Sequence, residues 1–407
     1  MWFNQFLEII NHDIFLLSAG LLILGFTFGR LVNLIHLPRV TGYIIAGIIF
    51  GPSILKVFNE HSLAQLEFIP QLALGIIAMV IGAGLSFGLI KRLGFRLVLI
   101  TVLQAVGAFV LVFGLLYLFK MPLGAVLPLA AIATATAPAA TVAIIKEYRA
   151  RGPFTETILA VVALDDAIAI ILFGLVLTFN LKNLAAFGET ALQSLSASFL
   201  EILAALVIGA ILGLAAHLLI KAAKEITDSL IIILGIVLLG IGLASISHTS
   251  ALLTNMFFGL TLINISAKNN DVVANLEKLT PPLYCFFFVL AGTHLNLNIF
   301  VTAGTTMLIW GSLFVGARII GKIVGAYMGG ALSGASDTVR KYLGLTLIPQ
   351  AGVAIGLTLL ITKTSSYFEY RSIILNITLI AVAFNEIVGP VCTKFALFKA
   401  KEAAVEE

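Results

Sequence analysis

Charged side chains are scarce in this sequence. Asp, Glu, Lys and Arg make up 11% of the 407 residues, whereas hydrophobic residues make up 60%. The mean hydropathy is +1.12, and a soluble globular domain carries about 25% charged residues. The scarcity of charge excludes a water-soluble domain and predicts an integral membrane protein.

Cysteine and long polar segments are also nearly absent. The two cysteines, Cys285 and Cys392, both lie inside apolar runs, which excludes a disulfide framework and favours simple packing roles. Every loop between apolar runs is short, so we expect no inserted soluble domain. The chain is predicted to be a single transmembrane domain over residues 1–407, with a short tail over 399–407.

The apolar runs are long and numerous. A membrane-spanning helix needs about 20 apolar residues, and thirteen runs, called spans 1 to 13, satisfy this requirement to within a few residues. They cover about 13–35, 40–56, 63–90, 94–119, 123–147, 154–179, 194–220, 228–247, 250–266, 279–294, 299–330, 339–362 and 372–398. The first residues lack a basic segment and a cleavage site, so we expect span 1 to be retained. The predicted fold class is all-α, with about 13 transmembrane helices.

Lysine and arginine are unevenly distributed between the two sides of the membrane. Loops after odd-numbered spans contain 17 of the 24 basic residues, loops after even-numbered spans contain 5, and Arg318 and Lys322 lie inside span 11. Because basic loops stay in the cytoplasm, we expect a cytoplasmic C-terminus and an external N-terminus, in a bacterial-type inner membrane. This bias also explains the net charge of +4, so no nucleic-acid partner is needed.

The two halves of the chain contain matching motifs. The matches are Gly51 with Gly259, Gly84 with Gly292, Pro138 with Pro349, and Asp165-Asp166 with Asn385-Glu386, at separations of 208, 208, 211 and 220 residues. Corresponding spans lie seven apart, and because seven is odd the halves have opposite orientations. This pattern is typical of the inverted repeats of secondary transporters. Repeat one covers about 13–179, the linker span about 194–220 and repeat two about 228–398.

Helix-breaking residues occupy corresponding positions in spans 5 and 12. They are Pro138 among Thr134, Thr136 and Thr141 in span 5, and Pro349 beside Gln350 and Gly352 in span 12. Either proline alone is explained by a kink, but the paired positions favour two crossed, discontinuous helices. Backbone freed at membrane depth lines a cavity or is buried in protein, so these breaks are candidate ion sites.

Span 6 carries two adjacent acidic residues, Asp165 and Asp166, near its centre. Ionisable residues at this depth have functional or paired roles. Arg318 and Lys322 lie four residues apart on one face of span 11, and two buried cations require acids. The candidate acids are the two aspartates and Glu386, so the sequence predicts an ion-paired network.

The chain resembles the cation:proton antiporters of the Kef-type and NapA-type group over nearly its whole length. The similar segments are LPRVTGYIIAGIIFGP at 37–52, FFVLAGTHLNL at 287–297 and FNEIVGP at 384–390. The resemblance implies a six-helix core domain that carries the ion in an elevator-like motion, a dimerisation domain and a homodimer. Kef-type systems typically have Gln-Asp where this chain has Asp165-Asp166, and they append a nucleotide-binding domain. Both departures favour an ungated sodium/proton exchanger.

The charges suggest a mechanism of exchange. We expect Asp165 to pair with Lys322, and Asp166 to bind Na+ or Li+ directly, helped by Asp165 and by oxygen atoms of the three span-5 threonines. Cation binding breaks the pair, so that Asp166 and Lys322 each release a proton and the exchange is electrogenic. Arg318 and Glu386 are expected to form a structural ion pair that ties span 11 to span 13.

Potassium/proton exchange of Kef type, either ungated or lacking its regulatory domain, is the alternative within the transporter class, because oxygen ligands alone do not fix the size of the ion. An intramembrane aspartyl protease needs its aspartates on separate helices, and a cation channel needs neither an inverted repeat nor a titratable lysine. The sequence therefore predicts a secondary active antiporter, not an enzyme. We expect no cofactor, and the expected partners are monovalent cations, protons and the lipid bilayer.

Overall fold

A computed structural model describes residues 13–66, 68–178, 187–223, 225–266, 269–295, 304–363 and 369–403. Regular structure in these ranges is entirely helical, which confirms the predicted all-α class. The α-helices are α1 Ile14–Leu34, α2 Arg39–Phe50, α3 Glu60–Ala64, α4 Phe68–Ala83, α5 Phe87–Leu118, α6 Leu123–Ile132, α7 Pro138–Glu147, α8 Pro153–Thr178, α9 Phe187–Ala222, α10 Ile226–Ile246, α11 Ala251–Ile265, α12 Asn269–Glu277, α13 Thr280–Thr293, α14 Gly304–Leu332, α15 Asp337–Tyr342, α16 Gly352–Lys363 and α17 Arg371–Lys399. A 3-10 helix, Leu343–Leu347, lies between α15 and α16.

Each predicted span contains helical residues. Within the described ranges, seven helices are long and apolar enough to cross a membrane, namely α1, α5, α8, α9, α10, α14 and α17. Shorter apolar helices, α2, α4, α6, α11 and α13, occupy other predicted spans. The figure of about 13 crossings stays a prediction, because several spans are short or interrupted.

The predicted boundary between spans 3 and 4 is wrong. Span 3 was predicted to continue to residue 90, but α4 ends at Ala83 and α5 already begins at Phe87. Two polar side chains explain the early start of α5, because Ser86 Oγ accepts from Leu89 N at 3.0 Å and Asn264 Oδ1 accepts from Phe87 N at 2.7 Å. Such caps satisfy the first amide groups of a helix. Helix α5 is then kinked at Gly94, which has a positive φ of 48°.

The chain forms two compact units. The first unit contains the described residues up to Arg92 and those of Leu200–His294, and the second contains those of Leu93–Phe199 and those from Leu295 onwards. The second unit therefore includes predicted spans 4, 5, 6, 11, 12 and 13. All residues of the predicted ion site belong to it.

In the first unit, pairs of helices touch through glycine. A Cβ atom added to Gly47 of α2 or Gly292 of α13 would lie 2.0 or 2.3 Å from a backbone oxygen of the other helix. Gly82 of α4 and Gly259 of α11 are equally close, at 1.8 and 1.9 Å. Small residues permit this approach in membrane proteins. In the predicted repeat, α2 corresponds to α11 and α13 corresponds to α4. The α2–α13 contact is therefore the repeat counterpart of the α11–α4 contact.

In the second unit, α5 and α14 pack along a glycine seam. Gly321 faces Ala108, Gly325 faces Gln104 and Gly329 faces Ile100. The residue numbers rise along one helix while they fall along the other, so the helices are antiparallel. These helices are spans 4 and 11, which are counterparts in the two repeats. Their antiparallel arrangement agrees with the predicted inversion.

The predicted helix breaks are present in spans 5 and 12. Helix α6 ends at Ile132 and α7 begins at Pro138, while α16 begins at Gly352, after the break that contains Pro349 and Gln350. Proline is well suited to the first turn of a helix, where its missing N–H has no partner to lose. The two segments are therefore discontinuous helices and not simple kinks.

The two breaks lie against each other. Ala137 N donates to the carbonyl oxygen of Pro349 at 2.8 Å, and Thr141 Oγ1 donates to that of Thr346 at 2.8 Å. Gln350 Nε2 donates in the other direction, to the carbonyl oxygen at position 132, at 3.1 Å. Backbone groups released from one helix are thus bonded by the other.

Candidate cation site

Arg318 of α14 binds the backbone of both breaks. Its guanidinium donates to the carbonyl oxygens of Ala133 at 3.0 Å and Ala135 at 2.8 Å in span 5, and to that of Ile348 at 2.6 Å in span 12. Longer contacts of 3.4 and 3.5 Å reach two neighbouring carbonyls of span 12. Arginine suits this role because its planar group carries five donors. It stabilises the crossing of the interrupted helices.

The predicted ion pair between Arg318 and Glu386 is wrong. The donors of Arg318 are used on backbone carbonyls, and both carboxylate oxygens of Glu386 are buried with no hydrogen-bond partner in the described part of the chain. The prediction matched opposite charges only. It ignored the carbonyl groups that two interrupted helices expose, and these acceptors use the donors of the guanidinium.

Lys322 lies one helical turn beyond Arg318 and forms the predicted pair with Asp165. Its Nζ lies 3.2 Å from Asp165 Oδ2, and both side chains are completely buried. The same ammonium donates to Thr136 Oγ1 at 2.7 Å and to the carbonyl oxygen of Thr134. Three acceptors therefore surround an ammonium group that has three donor hydrogens.

The second carboxylate oxygen of Asp165 also accepts a hydrogen bond. Gln104 of α5 donates from Nε2 to Asp165 Oδ1, and it also donates to the carbonyl oxygen of Thr101 at 2.9 Å. Gln104 was not among the predicted site residues. Its position carried a signal, because it is the counterpart of Lys322 in the inverted repeat and a polar residue in the middle of span 4.

Asp166 has a different environment from its neighbour. Its side chain is 2% exposed, and neither carboxylate oxygen has a hydrogen-bond partner among the described residues. Buried charges are normally paired or bound to ions, and an uncompensated one costs several kcal/mol. Asp166 is thus the carboxylate of this site that is free to accept a ligand.

The three predicted threonines have unequal positions. Thr136 Oγ1 contacts Lys322, as described above. Thr134 Oγ1 donates to the carbonyl oxygen of Ala131 at 2.7 Å, and Thr141 Oγ1 donates to the second break. None of the three is hydrogen-bonded to Asp166. The structure therefore brings Thr136 next to the Asp165–Lys322 pair and places the hydroxyls of the other two on backbone.

A second polar chain connects α17 with both breaks. Asn385 Nδ2 donates to Gln350 Oε1 at 3.0 Å, and Gln350 in turn donates to the end of α6. Asn385 was recognised as the counterpart of Asp165 but not as a contact of the break. No group of three His, Cys, Asp or Glu side chains is assembled anywhere in the described ranges.

Comparison with known proteins agrees with this architecture. A family model described as sodium/hydrogen exchanger, transmembrane, matches residues 18–399. The chain belongs to the sodium/hydrogen exchanger family. This membership confirms the resemblance to cation:proton antiporters. It also identifies the protein as an integral membrane transporter and not an enzyme.

Two individual proteins illustrate the similarity within the exchanger family. The structure of the sodium proton antiporter MjNhaP1 from Methanocaldococcus jannaschii superposes with a TM-score of 0.72 over 95% of this chain and 99% of that chain, at 19% identity, which establishes a common fold. The candidate cation/proton antiporter YbaL of Escherichia coli (strain K12) is 36% identical over 72 residues. That match spans only 17% of this chain and 12% of YbaL.

In this exchanger-family chain, the tail caps the helix that carries the aspartates. The carboxylate of Glu402 accepts from the backbone N–H of Phe154 at 2.8 Å and of Thr155 at 2.7 Å, and from Thr155 Oγ1 at 2.8 Å. The backbone oxygen of Glu402 accepts from Arg151 N at 3.1 Å. A carboxylate at a helix N-terminus satisfies free amides and interacts favourably with the helix dipole. No motif in the sequence predicted this contact.

Replacing Glu402 with Ala is expected to lower the unfolding free energy by about 0.5–2 kcal/mol, the range for a lost N-terminal cap. The measurement is the melting temperature of the purified protein in detergent. Glu406→Ala makes the same change of charge in the tail and serves as the control. Equal melting temperatures for the two variants would contradict the capping role.

Proposed function

We propose that the protein is a cation/proton antiporter that exchanges Na+ or Li+ for protons across a membrane. The observation that carries this proposal is Asp166, a buried carboxylate without a hydrogen-bond partner beside the Asp165–Lys322 ion pair and two interrupted helices. Family membership supports the same activity. The site can hold either a cation or protons, and this competition is sufficient for exchange.

The cation binds first to Asp166 in the proposed mechanism. Sodium and lithium are hard ions that prefer oxygen ligands, as other hard cations do. Asp165 supplies a second carboxylate when it separates from Lys322, and oxygen atoms of the span-5 break supply further ligands, with Thr136 nearest. Thr134 and Thr141 join only if their hydroxyls leave the backbone carbonyls that they now contact.

Protons leave as the cation arrives. An incoming positive charge favours the ionised form of Asp166. Lys322 loses its anionic partner in a fully buried site, where the neutral amine is favoured over an unpaired ammonium. Release of one proton from each residue against one cation transfers net charge, so the proposed exchange is electrogenic. The opposite order of events reloads both residues.

We further propose that the second unit, which contains the whole site, carries the cation in an elevator-like motion, and that the protein is a homodimer. The resemblance to the Kef-type and NapA-type group supports both proposals. The charge bias of the loops supports an external N-terminus and a cytoplasmic C-terminus in a bacterial-type inner membrane. The contact between Glu402 and the start of α8 is consistent with this topology, since both segments were predicted on the cytoplasmic side.

Flux measurements in proteoliposomes test the function. An imposed pH gradient should drive Na+ and Li+ uphill, and reversal of the gradient should reverse the direction of cation movement. A channel cannot couple the two fluxes, so dissipation without uphill movement would contradict antiport. Uphill movement of K+ in place of Na+ would establish the potassium/proton alternative, which oxygen ligands alone leave open.

Replacing Thr136 with Val should raise the half-saturating cation concentration roughly tenfold. The hydroxyl, which accepts from the Lys322 ammonium at 2.7 Å, is the oxygen that the proposed mechanism gives to the cation once Lys322 separates from Asp165. Its loss removes a ligand of the bound cation, and hydrogen bonds to charged groups contribute about 1.5–3 kcal/mol. The measurement is exchange rate against cation concentration. Thr393→Val is a matched control, because among the described residues that buried hydroxyl bonds only the carbonyl oxygen of Gly389, at 3.0 Å on its own helix. Equal effects in both variants would exclude Thr136 from the site.

A further inference from the structure

Helix α17 carries a second buried acid that the proposed mechanism does not use. Glu386 is 1% exposed, and both oxygens of its carboxyl group lack a hydrogen-bond partner among the described residues. It is the counterpart of Asp166 in the inverted repeat, 220 residues later. An unsatisfied polar group at such depth is costly and calls for a functional explanation.

Within the part of the chain that the structure describes, no cation pairs with Glu386. The cations of α17 itself are Arg371 at its start and Lys394 and Lys399 towards its end, and Lys394 Nζ lies 4.9 Å from the ring centre of Tyr148. Helices α6, α7, α14, α15, α16 and the 3-10 helix pack against α17. The buried cations on them are Arg318 and Lys322, which bind the helix breaks and Asp165. The remaining charged residues on these elements lie near helix ends or at the surface: Lys146 and Glu147 on α7, Lys363 on α16, and Asp337, Arg340 and Lys341 on α15, whose charges pair with one another.

Glu386 lies on the part of α17 that touches the second break. The adjacent residue, Asn385, donates to Gln350 at 3.0 Å, and one turn later a Cβ on Gly389 would lie 2.7 Å from Pro349. The side-chain oxygen of Asn385 is also buried without a partner. Any rearrangement of the span-12 break during exchange therefore changes the surroundings of the Glu386 carboxyl group.

We propose that Glu386 is a further proton-binding site, which holds a proton in the state described here and releases it when a cation occupies the Asp165–Asp166 site. This inference rests on the proposed function. Its physical basis is that the adjacent residue, Asn385, is linked through Gln350 to the end of α6 at the span-5 break. A change at the breaks when a cation binds therefore alters the burial of Glu386, and burial governs the ionisation of a carboxyl group. The proton on Glu386 neutralises the carboxyl group when the cation is absent. No contact between Glu386 and the cation is required.

Calorimetric titration of the purified protein with NaCl tests the proposal, with KCl in a parallel series. Repeating each titration in buffers of different ionisation enthalpy gives the number of protons released per cation bound. Glu386→Gln is expected to bind the cation and to release fewer protons than wild type, by up to one. Its apparent affinity should correspondingly depend less steeply on pH.

The outcomes separate the two proposals. Wild-type protein that binds no cation, or binds one without releasing protons, would overturn the proposed function itself. Wild-type release with an unchanged count in Glu386→Gln would overturn only the role of Glu386. If that variant does not fold, dicyclohexylcarbodiimide labelling of wild type replaces it, because this reagent modifies protonated carboxyls in apolar surroundings. Mass spectrometry should then find labelling of Glu386 that falls when NaCl is added, and constant or absent labelling would contradict the inference.

Discussion

Asp166→Asn is expected to reduce cation-dependent proton flux to the level of liposomes without protein. The substitution keeps the shape of the side chain but removes the negative charge that binds the cation. Asp166 is the carboxylate of the pair that has no hydrogen-bond partner in the described ranges, so the substitution breaks no hydrogen bond there. We therefore expect the variant to fold, with a melting temperature no lower than that of wild type when no cation is present.

Thermal stability provides a second measurement on the same variant. A cation at 100 times its dissociation constant stabilises a protein by about 2.7 kcal/mol, and this stabilisation should be absent in Asp166→Asn. Asp337→Asn is a suitable control, because that carboxylate is 76% exposed and forms only surface pairs. It should retain both flux and cation-dependent stabilisation. Substantial sodium-driven proton flux in Asp166→Asn would show that the cation binds elsewhere.

Lys322→Gln is expected to destabilise the protein strongly at high pH. The change leaves Asp165 in a fully buried site with Gln104 but without its cation, and breaking a buried pair costs about 3–5 kcal/mol. The orphaned carboxylate then favours its protonated form. Because the folded state of the variant holds that proton more tightly than the unfolded state does, stability should fall as pH rises and recover as pH falls.

Sodium should partly restore the Lys322→Gln variant. In wild type the cation must displace the lysine from Asp165, whereas in the variant it fills a vacant counter-charge. The rise in melting temperature on adding NaCl at high pH should therefore be larger than in wild type. If exchange survives, its dependence on membrane potential should weaken, because one proton carrier is missing.

The control for this experiment is Lys341→Gln. Lys341 is 61% exposed and pairs with Asp337 at 3.8 Å on the surface, where such pairs contribute about 0–1 kcal/mol. It should behave like wild type at every pH. A Lys322→Gln variant as stable as wild type at high pH, with unchanged voltage dependence, would show that Lys322 is not an essential partner of Asp165.

The sequence was sufficient to predict the membrane class, the helix breaks and the central ion pair. Each depends on a local and strong signal: long apolar runs, a proline among small and polar residues, or a charged residue at membrane depth, where charges are energetically unfavourable. The pairing of Lys322 with Asp165 could be predicted because few ionisable residues lie inside the spans. The exact helix ends could not be predicted from the sequence, since caps such as Ser86 depend on single hydrogen bonds.

Contacts between side chains and backbone were less accessible to prediction. The carbonyl partners of Arg318 exist only because two helices are interrupted and cross, and their positions depend on the three-dimensional arrangement of spans 5, 11 and 12. The same reason explains why Asn385 and Glu402 were not identified as contacts. Counting opposite charges assigned Glu386 to Arg318, and the geometry leaves this acid without a partner.

The glycine seam between α5 and α14 has an evolutionary consequence. It brings the counterpart residues Gln104 and Lys322 to the two oxygens of one carboxylate. If the repeats arose from one duplicated gene, an unfused ancestor that paired with an inverted copy of itself had the same residue at both positions. The same holds for Asp165 and its counterpart Asn385, so every group of such a symmetric site occurred twice. Fusion into one chain allows the copies to diverge, so that one contributes an amide and the other a charge.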